Sequence, residues 1–401
     1  MYHLKNKTII LGVSGGIACY KSVELVRLLQ KAGASVYVVM TQNATRFVGP
    51  LTFEAISGHP VCLELFAPTP DTTFHHIQWA EMADAVLVAP TTANVLAKVA
   101  HGIADDALTT FLLAVQSPIL LSPSMNTRMW ENKAVQENVS ILENRNISIL
   151  QPASGELACG TTGAGRQPDA AIIVEYLHRL LSPQDYYGKK ILVTAGPTIE
   201  YIDPVRFISN PSSGKMGYAI ARAFYSRGAN VTLITGPTHI EFPFDIRTIS
   251  VQTANEMADA VFEHESQMDI IIKAAAVADY HVTQKAAHKI KKDTDELHIA
   301  LKKNQDILKE LGRRKKHQIL VGFAAETQEL KNNALQKLSA KNLDMIVANI
   351  VGQKDSGFQA DTNHVMFFFK DGKEESIPLM SKESIAHLLL DRIQSNFLRA
   401  V

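Results

Sequence analysis

The feature of this sequence that most constrains its fold is a strand–turn–helix pattern that occurs twice. Residues 8–13 (TIILGV) form a short apolar run, which leads into Ser14-Gly15-Gly16 and then into helical periodicity over 17–30. Residues 190–217 repeat this order, with an apolar run, a Gly/Pro turn and a Ser/Gly turn before an apolar helical pattern. Short apolar runs between turn signals are typical of buried parallel strands. The chain is therefore predicted to contain two successive α/β units.

In both halves, apolar runs alternate with helical segments. Besides the two beginnings, strands are predicted at residues 35–40, 85–89, 119–122 and 147–150 in the first half, and at 230–235, 246–251, 269–272, 319–323 and 343–348 in the second. Near the end, Asp371-Gly372 separates two further runs and predicts a hairpin. The alternation predicts an α/β fold with two doubly wound, Rossmann-like domains and mainly parallel sheets.

The length of the chain also indicates two domains. Its 401 residues exceed the ~250–300 residues at which a single core stops growing. Residues 181–188 (LSPQDYYG) form a short polar joint with Pro and Gly, which is a typical boundary signal. We therefore predict a first domain over residues 1–188 and a second over 189–401.

Charge balance and cysteine content narrow the class of protein. The chain has 40 Lys+Arg and 40 Asp+Glu residues, which gives no reason to expect nucleic acid or an anionic membrane as a partner. Cys19, Cys62 and Cys159 are far apart and lack metal-binding spacing, which argues against a disulfide scaffold and for a reducing compartment. No apolar run approaches the ~18 residues of a membrane span. We expect a soluble cytoplasmic protein.

The predicted ligand site of the first half lies beyond the carboxyl ends of its strands, where doubly wound sheets bind ligands. The polar residues there are Ser14-Gly15-Gly16, Thr41, residues 90–94 (PTTAN) and residues 123–126 (PSMN). Backbone amides at a helix N-terminus, with Ser and Thr hydroxyls, can hold one phosphate. Because the first turn lacks GxGxxG spacing, a mononucleotide or another phosphate is the open hypothesis. The alternative is that the glycines merely turn the chain.

Three further features of the first half are candidates for chemistry. His75-His76 precede the strand at 85–89, and a histidine can move protons near neutral pH. Asn126 offers a donor and an acceptor, which suits a carboxylate or amide substrate. Cys159 lies in the Gly-rich stretch 154–166, which is too irregular for a regular element and predicts a binding flap. The alternatives are a structural histidine and a mobile surface loop with an incidental cysteine.

The second half again has polar residues at the ends of predicted strands. Residues 210–215 (NPSSGK) form a Ser-Ser-Gly turn before a helix, which is a good anion cradle although it lacks the Walker A spacing. Asp279 follows small residues that permit close approach of a flat ring, and its carboxylate can hold a ribose or a metal ion. Lys289 opens a basic run, for which a solvated loop is the alternative. Lys337 and Lys341 lie one helical turn apart and could reach the same anion.

Four segments of the first half together resemble the flavin-dependent cysteine decarboxylases. They are residues 8–21 (TIILGVSGGIACYK), 76–106 (HIQWAEMADAVLVAPTTANVLAKVAHGIADD), 123–130 (PSMNTRMW) and 154–160 (SGELACG). The resemblance covers most of residues 5–180. It implies bound FMN, which accepts electrons from a cysteine thiol before carbon dioxide is lost. It also implies a homo-oligomer based on a trimer, with FMN at a subunit interface.

This resemblance identifies candidate site residues. His76, rather than His75, matches the catalytic histidine, because it directly precedes Ile77 and keeps the family's spacing to Ala83-Asp84. In the family the histidine assists near the flavin, an asparagine holds the departing carboxylate, and a flap cysteine serves the last reductive step. The residues implied to act on the substrate are His76, Met125, Asn126 and Cys159. Those implied to bind FMN are Ser14, Gly15, Gly16, Thr41, Thr92 and Asn94.

Six segments of the second half resemble the phosphopantothenate–cysteine ligase domain. They are residues 191–198 (ILVTAGPT), 202–217 (IDPVRFISNPSSGKMG), 274–280 (AAAVADY), 289–292 (KIKK), 321–327 (VGFAAET) and 340–349 (AKNLDMIVAN). The resemblance implies that CTP and Mg²⁺ activate a carboxylate as an acyl-cytidylate, with release of pyrophosphate, before the amine of cysteine attacks. Lysines and the metal must then offset the negative charges that activation brings together.

The ligase resemblance also implies residue roles. Lys289 is implied to stabilise the activation step, and Asn210 to bind phosphopantothenate and its acyl intermediate. Contacts with substrate or CTP are implied for Ser212, Gly214, Ala276, Asp279, Lys289, Asp306, Ile307, Phe323, Lys337 and Lys341, with Asp279 also as the metal ligand. Gln305 stands where the bacterial pattern has proline, which is expected to loosen that turn.

Taken in this order, the two resemblances imply a bifunctional enzyme of coenzyme A biosynthesis. The ligase half makes 4′-phosphopantothenoyl-cysteine, and the decarboxylase half converts it to 4′-phosphopantetheine. One alternative is a flavin-binding regulatory subunit, which predicts loss of the histidine, asparagine or flap cysteine, and all three are present. Another is a nicotinamide-dependent reductase, which predicts GxGxxG turns that neither half has.

Overall fold

The computed structural model describes residues 4–65, 75–156, 160, 162–291, 297–326, 329–350, 357 and 359–398, without the side chains of 75, 76, 326 and 350. Contacts between Cα atoms divide the chain into two compact units, Met1–Ser182 and Pro183–Val401. The division falls at the start of the polar joint that the sequence indicates. None of the helices in the described ranges has the length and apolar character needed to cross a bilayer.

The first unit is built on a six-stranded parallel sheet. The strands of this unit are β1 Thr8–Val13, β2 Ser35–Met40, β3 Val61–Cys62, β4 Ala85–Thr91, β5 Ile119–Pro123, β6 Ser148–Ile149, β7 Ala153–Glu156 and β8 Thr162–Arg166. Its helices are α1 Cys19–Lys31, α2 Pro50–Ser57, α3 His75–Met82, α4 Ala93–His101, α5 Ala107–Ala114, α6 Thr127–Trp130, α7 Lys133–Asn144 and α8 Ala170–Leu181. The strand order is β3-β2-β1-β4-β5-β6, and every pairing is parallel.

Helices cover both faces of this sheet. Successive side chains of a strand point to opposite faces, so Ile9 and Leu11 pack with α1, α2 and α8. Ile10 lies on the other face, where it packs with α3, α4, α5 and α7. Helix α4 shows how local signals set the bounds, because Thr92 caps its first turn and Gly102 ends it in the left-handed region (φ 69°).

The Gly-rich stretch 154–166 differs from its prediction as an irregular flap. Strands β7 and β8 form an antiparallel hairpin, with a register shift between Ala153 and Ser154. Gly165 explains the close packing of this hairpin, because a Cβ there would lie 2.2 Å from the Met125 carbonyl oxygen. Its φ of 137° also favours glycine. The prediction of an irregular stretch was wrong because cross-strand pairing depends on partners that composition does not reveal.

The second unit is built on an eight-stranded mixed sheet. The strands of this unit are β9 Lys190–Ala195, β10 Ile199–Tyr201, β11 Phe207–Ser209, β12 Asn230–Thr235, β13 Arg247–Ser250, β14 Ile270–Lys273, β15 Tyr280–Val282, β16 Leu301–Lys303, β17 Ile319–Glu326, β18 Met345–Ile350, β19 Thr362–Phe369 and β20 Glu374–Ser381. Its helices are α9 Lys215–Ser226, α10 Ala254–His264, α11 Ile307–Arg314, α12 Leu330–Ala340 and α13 Lys382–Phe397. The main sheet has the order β13-β12-β9-β14-β17-β18-β19-β20, in which the β18–β19 and β19–β20 pairings are antiparallel and the other pairings are parallel.

The two sheets share a winding order. Numbered along the chain within each sheet, the first six strands run 3-2-1-4-5-6, the order of two mononucleotide-binding halves. The direction of winding reverses between β1 and β4 in the first sheet and between β9 and β14 in the second. The predicted fold class is confirmed, as is the hairpin around Asp371-Gly372. The reversal points are where ligands bind in such sheets.

The polar joint packs into the second unit. The Tyr186 side chain is fully buried in the cluster formed by α9, α13 and one face of the sheet. Its hydroxyl donates a 2.5 Å hydrogen bond to the Leu390 carbonyl oxygen, and its ring meets that of Phe224 edge-on at 5.0 Å between centroids. The joint is therefore anchored to the closing helix α13.

Candidate functional site

In the first unit, the loops after β1 and β4 are joined at the reversal point. The Ser14 hydroxyl donates to the Pro90 carbonyl oxygen at 2.7 Å and accepts from the Thr92 amide at 2.9 Å. Because both contacts cross between loops, they set the spacing of the two helix N-termini that follow. The predicted residues Ser14 and Thr92 therefore lie together.

The loop after β2 closes on the same place. A Cβ at Gly15 would lie 2.4 Å from Cβ of Asn43, and one at Gly16 would lie 3.5 Å from Thr92. Thr41 begins this third loop and is 8% exposed, and its Oγ1 has no hydrogen-bond partner among the described residues. An orphaned hydroxyl beside a glycine cradle suits a phosphate or another polar ligand. Asn94 is exposed in the first turn of α4.

The predicted residues after β5 are fixed by short local contacts. Asn126 caps α6, with its side-chain oxygen accepting from the Arg128 amide at 2.9 Å. The Met125 amide donates to the Gly165 carbonyl oxygen at 3.0 Å, which ties this loop to the β7–β8 hairpin. Cys159 and the side chain of His76 lie outside the described residues.

In the second unit, a cavity of about 480 Å³ opens at the reversal point between β9 and β14. It brings together nine predicted residues, namely Asn210, Ser212, Gly214, Ala276, Asp279, Asp306, Ile307, Phe323 and Lys341. Lys289 and Lys337 are not among its lining residues. The lining also contains Lys215, from the predicted cradle 210–215, and Lys273, Asn304, Asn349 and Lys382, to which the sequence analysis gave no role.

Two asparagines hold the wall formed by residues 276–278. The Asn210 side-chain nitrogen donates to the carbonyl oxygens of Ala276 (3.0 Å) and Val277 (3.3 Å). The Asn304 side-chain nitrogen donates to the Ala278 carbonyl oxygen at 2.8 Å, and its oxygen lies 2.6 Å from Nδ1 of His281. Asn304 therefore holds the turn that contains Gln305.

Asp306 joins the start of α11 to Lys341. One carboxylate oxygen accepts from the Lys309 amide at 3.0 Å, and the other pairs with Nζ of Lys341 at 2.8 Å. Burial by itself raises the pKa of the Asp306 carboxyl, but the hydrogen bonds from Lys341 and Lys309 outweigh it and lower the pKa. The cavity therefore contains an oriented carboxylate–ammonium pair.

Lys273 is a buried cation of the cavity that sequence reasoning missed. It ends β14 between Thr194 of β9 and Gly322 of β17, and it is 9% exposed. Its ammonium donates to the Ala275 carbonyl oxygen at 3.3 Å. Burial first, and then the charge of Lys341, lower the pKa of this amine to about 8. The available signal was a lysine at the carboxyl end of an apolar strand.

Replacement of Lys273 with Met is expected to raise the melting temperature at pH 7. A pKa lowered from 10.5 to about 8 corresponds to about 3 kcal/mol of burial cost for the charged form. This cost is fully present below pH 8 and disappears as the pH rises towards 10.5, so the gain should shrink over that interval. We expect a gain of about 6–12 °C at pH 7, measured by calorimetry at pH 7 and pH 10. A gain that does not depend on pH would contradict the assigned cause.

The loop that carries Lys289 is held by a buried carboxylate. Asp203 is fully buried, and it accepts from the backbone amide of Ile290 at 3.2 Å. It also accepts from Nη2 of Arg206 at 2.6 Å, which in turn donates to the Ile290 carbonyl oxygen at 2.9 Å. Burial raises the pKa of Asp203, but these and neighbouring amide hydrogen bonds outweigh it and hold the pKa far below its usual range. Lys289 itself is exposed.

Asp203→Asn is expected to lower any turnover that depends on Lys289 by roughly 10-fold, because the new amide group would face donors from Arg206 and Ile290. The measurement is kcat alone and in combination with Lys289→Gln. If Asp203 acts by positioning Lys289, the double variant should be no slower than Lys289→Gln. Fully additive losses would instead assign Asp203 a separate role.

The acidic residues of the cavity bear on metal binding. Within the described ranges, no group of three or more His, Cys, Asp and Glu side chains could hold a metal ion. Asp279 lines the cavity and is exposed. One carboxylate together with ligand phosphates is a usual setting for Mg²⁺, so the residues present suit a metal that arrives with a nucleotide.

Two protein-family models match successive parts of the chain. Residues 1–182 match the family described as Flavoprotein. Residues 186–397 match the family described as DNA/pantothenate metabolism flavoprotein C-terminal domain. The two doubly wound units therefore define a flavoprotein with a second domain of pantothenate metabolism.

The relatives of the chain resemble it over nearly its whole length. The coenzyme A biosynthesis bifunctional protein CoaBC of Bacillus subtilis is 47% identical over 97% of this chain and 97% of its own length. The proteins of the same name from Haemophilus influenzae and Escherichia coli are 46% and 45% identical over 97% and 98% of this chain, and over 98% of their own lengths. The chain belongs to the family of coenzyme A biosynthesis bifunctional proteins CoaBC.

Proposed function

We propose that this chain catalyses two consecutive reactions of coenzyme A biosynthesis. The second unit joins cysteine to 4′-phosphopantothenate through an acyl-cytidylate, with CTP converted to CMP and pyrophosphate. The first unit decarboxylates the resulting 4′-phosphopantothenoyl-cysteine to 4′-phosphopantetheine. The proposal is supported by the family of the chain and by the composition of its two reversal points.

The observation that carries the ligase proposal is the cavity of the second unit. Its volume, about 480 Å³, lies within the roughly 300–1,000 Å³ of small-molecule pockets. One end contains Ser212, Gly214 and Lys215 at the start of α9, and the other contains Asp306 and Lys341. Cationic and amide donors at one end suit phosphates, and paired polar groups at the other suit the rest of a nucleotide.

In the proposed ligase reaction, the chain must bring a carboxylate to a triphosphate. Asn210 uses its nitrogen to hold Ala276 and Val277, so its oxygen is the atom that would accept from the phosphopantothenate amide or hydroxyl. Lys289 would neutralise the charge that develops as the two anions meet, and Lys341 would contact the nucleotide. Asp279 would hold Mg²⁺ together with the nucleotide phosphates.

In the proposed decarboxylase reaction, FMN supplies an acceptor for the electrons of the substrate thiol. Thr41 and the Ser14–Gly16 turn would bind the phosphate of the flavin, and Thr92 and Asn94 would lie along it. Asn126 would donate from its side-chain nitrogen to the substrate carboxylate, because its oxygen is used to cap α6. His76 would assist near the flavin, and Cys159 would donate a proton in the final reductive step, in which the electrons held by the flavin would return to the product.

The purified chain, supplied with CTP, Mg²⁺, 4′-phosphopantothenate and cysteine, tests both activities in one assay. We expect one pyrophosphate released for each acylated cysteine, followed by carbon dioxide and 4′-phosphopantetheine. Release of no pyrophosphate would overturn the ligase proposal. Added 4′-phosphopantothenoyl-cysteine tests the first unit separately, and no carbon dioxide from it would overturn the decarboxylase proposal.

The visible absorption spectrum tests the proposed flavin site. We expect a flavin band after reconstitution with FMN, and weaker retention of the band in Thr41→Val, because that change removes the orphaned hydroxyl without changing its shape greatly. Thr45→Val serves as the control, because Thr45 is a half-buried threonine in the same loop whose hydroxyl already donates to the Gln42 carbonyl oxygen at 2.8 Å. Absence of the flavin band in the unmodified protein would count against FMN binding.

We also infer that the chain forms a homo-oligomer based on a trimer, with FMN at a subunit interface. This inference follows the decarboxylase resemblance. Light scattering of the FMN-loaded protein should give a mass that is a multiple of three chains of 44.1 kDa. A monomer under these conditions would overturn it.

A further inference from the structure

The two ends of the second unit's cavity differ in chemistry. The end near α9 offers hydroxyl, amide and lysine donors from Ser212, Gly214 and Lys215. The end near α11 combines cations with a carboxylate, because Lys273 and Lys341 lie there with Asp306. Carboxylates disfavour a polyphosphate, whereas a mixture of donors and acceptors matches the edge of a nucleobase.

The surroundings of Lys273 also suit a flat heterocycle. Residues 274–276 are alanines, and the apolar side chains of Ile307 and Leu308 line the same part of the cavity. Ile307 and Leu308 belong to the cluster on the α10–α12 face of the sheet, which is the face of β14 that carries Ile271 and, two residues later, Lys273. Apolar residues can pack against the face of such a ring, while the ammonium group of Lys273 donates a hydrogen bond to its edge.

The depth of Lys273 argues that it has a ligand-related role. A lysine is rarely buried unless it is paired, and among the described residues no carboxylate lies within ion-pair distance of its ammonium. The nearest acceptor recorded for it is the Ala275 carbonyl oxygen at 3.3 Å, a long hydrogen bond. Burial lowers its pKa to about 8, so the charged form gains from any acceptor that enters the cavity.

Steric space for Lys273 is built into the sheet. Its neighbour on β17 is Gly322, where a Cβ would lie 2.8 Å from Leu343 and 2.9 Å from Leu308. The glycine lets these leucines pack against the strand, so the lysine has an apolar wall on this side. Its side chain lines the cavity.

We propose that Lys273 is a specificity-determining residue that donates to the acceptor edge of the nucleobase. The inference rests on the proposed ligase function and adds the residue that selects the base. Cytosine presents two adjacent acceptors, O2 and N3, on this edge, whereas uracil presents O2 beside an N3–H donor. One ammonium group can therefore donate hydrogen bonds to both acceptors of cytosine, whereas in uracil it would face the N3–H donor. Asp306, the oriented carboxylate beside it, would accept from the 4-amino group.

The test measures nucleotide selectivity in the full-length, FMN-loaded protein. In Lys273→Met, kcat/KM for CTP should fall by about 10- to 100-fold, the loss expected for a hydrogen bond from a charged donor, and the value for UTP should fall less. The KM for 4′-phosphopantothenate should not change. Calorimetric Kd values for CTP and UTP give the same comparison without turnover.

Matched variants separate selectivity from folding. Lys302→Met removes an exposed lysine outside the cavity and should leave the CTP preference intact. Lys273→Gln keeps a shorter donor, so its preference for CTP over UTP should lie between those of Lys273→Met and the unmodified protein. Decarboxylation of added 4′-phosphopantothenoyl-cysteine checks that the first unit is intact.

Each outcome bears on the proposal. Equal losses for CTP and UTP would overturn base recognition and place Lys273 on a phosphate. Unchanged CTP kinetics, or a raised KM for 4′-phosphopantothenate alone, would also overturn it. If the unmodified protein bound no nucleotide, the ligase function would fail, which is distinct from an active protein whose selectivity ignores Lys273.

Discussion

Replacement of Lys289 with Gln should reduce formation of the acyl-cytidylate by about 10²–10³-fold, the usual cost of losing one group that stabilises developing charge. The side chain is exposed, so its loss should change the melting temperature little. The Ile290 amide donates to the buried carboxylate of Asp203, and this hydrogen bond fixes the position of the backbone next to Lys289. The measurement is CTP- and phosphopantothenate-dependent pyrophosphate release before cysteine is added.

The same loop provides a matched control. Lys291 is exposed two residues further on, so Lys291→Gln makes the same change of charge without removing the proposed catalytic group. The decarboxylase reaction in the other unit should proceed normally in both variants. Equal losses in the two variants would show that only the overall charge of the loop matters, and unchanged turnover in Lys289→Gln would remove its catalytic role.

Replacement of Arg227 with Ala should give the largest loss of stability among these variants, about 3–5 kcal/mol. The guanidinium is 4% exposed and pairs with both carboxylate oxygens of Asp185 in the joint. It also donates to Asp391 of α13 at 2.6 Å and lies 5.2 Å from the Tyr186 ring centroid. Its removal breaks the connection between the joint, α9 and α13.

Thermal unfolding measures this effect. At 2–4 °C for each kcal/mol in a unit of this size, the melting temperature should fall by about 10 °C. Arg222→Ala removes an exposed arginine from the same helix, α9, and should shift the transition by less than about 2 °C. Similar shifts for the two variants would show that the Arg227 network contributes little.

Local patterns in the sequence were sufficient to predict the strands and the fold class. Ile9, Ile10 and Leu11 are all buried because helices cover both faces of a parallel sheet, and this produces the continuous apolar runs seen in the sequence. The Ser14 and Gly214 turns precede helices for equally local reasons. Stretch 154–166 was mispredicted because hairpin pairing between β7 and β8 is not local.

The candidate site divides in the same way. Asn210 and Asp279 could be found because they follow predicted strands, and Phe323 was implied by the ligase resemblance. Lys273 could not be found in this way, because its significance depends on burial between β9 and β17. Asp203 could not either, since it acts on Ile290, which is 87 residues away.

The sequence by itself determined that this chain consists of two doubly wound units, because strand and helix periods and turn residues are short-range properties. It also placed polar residues at both reversal points. Only the tertiary structure decided that Lys273, Asp306 and Lys341 share one cavity, while Lys337, one helical turn from Lys341, does not line it. The reason is physical: strand register and helix packing set which distant side chains meet, and burial in that cavity lowers the pKa of Lys273.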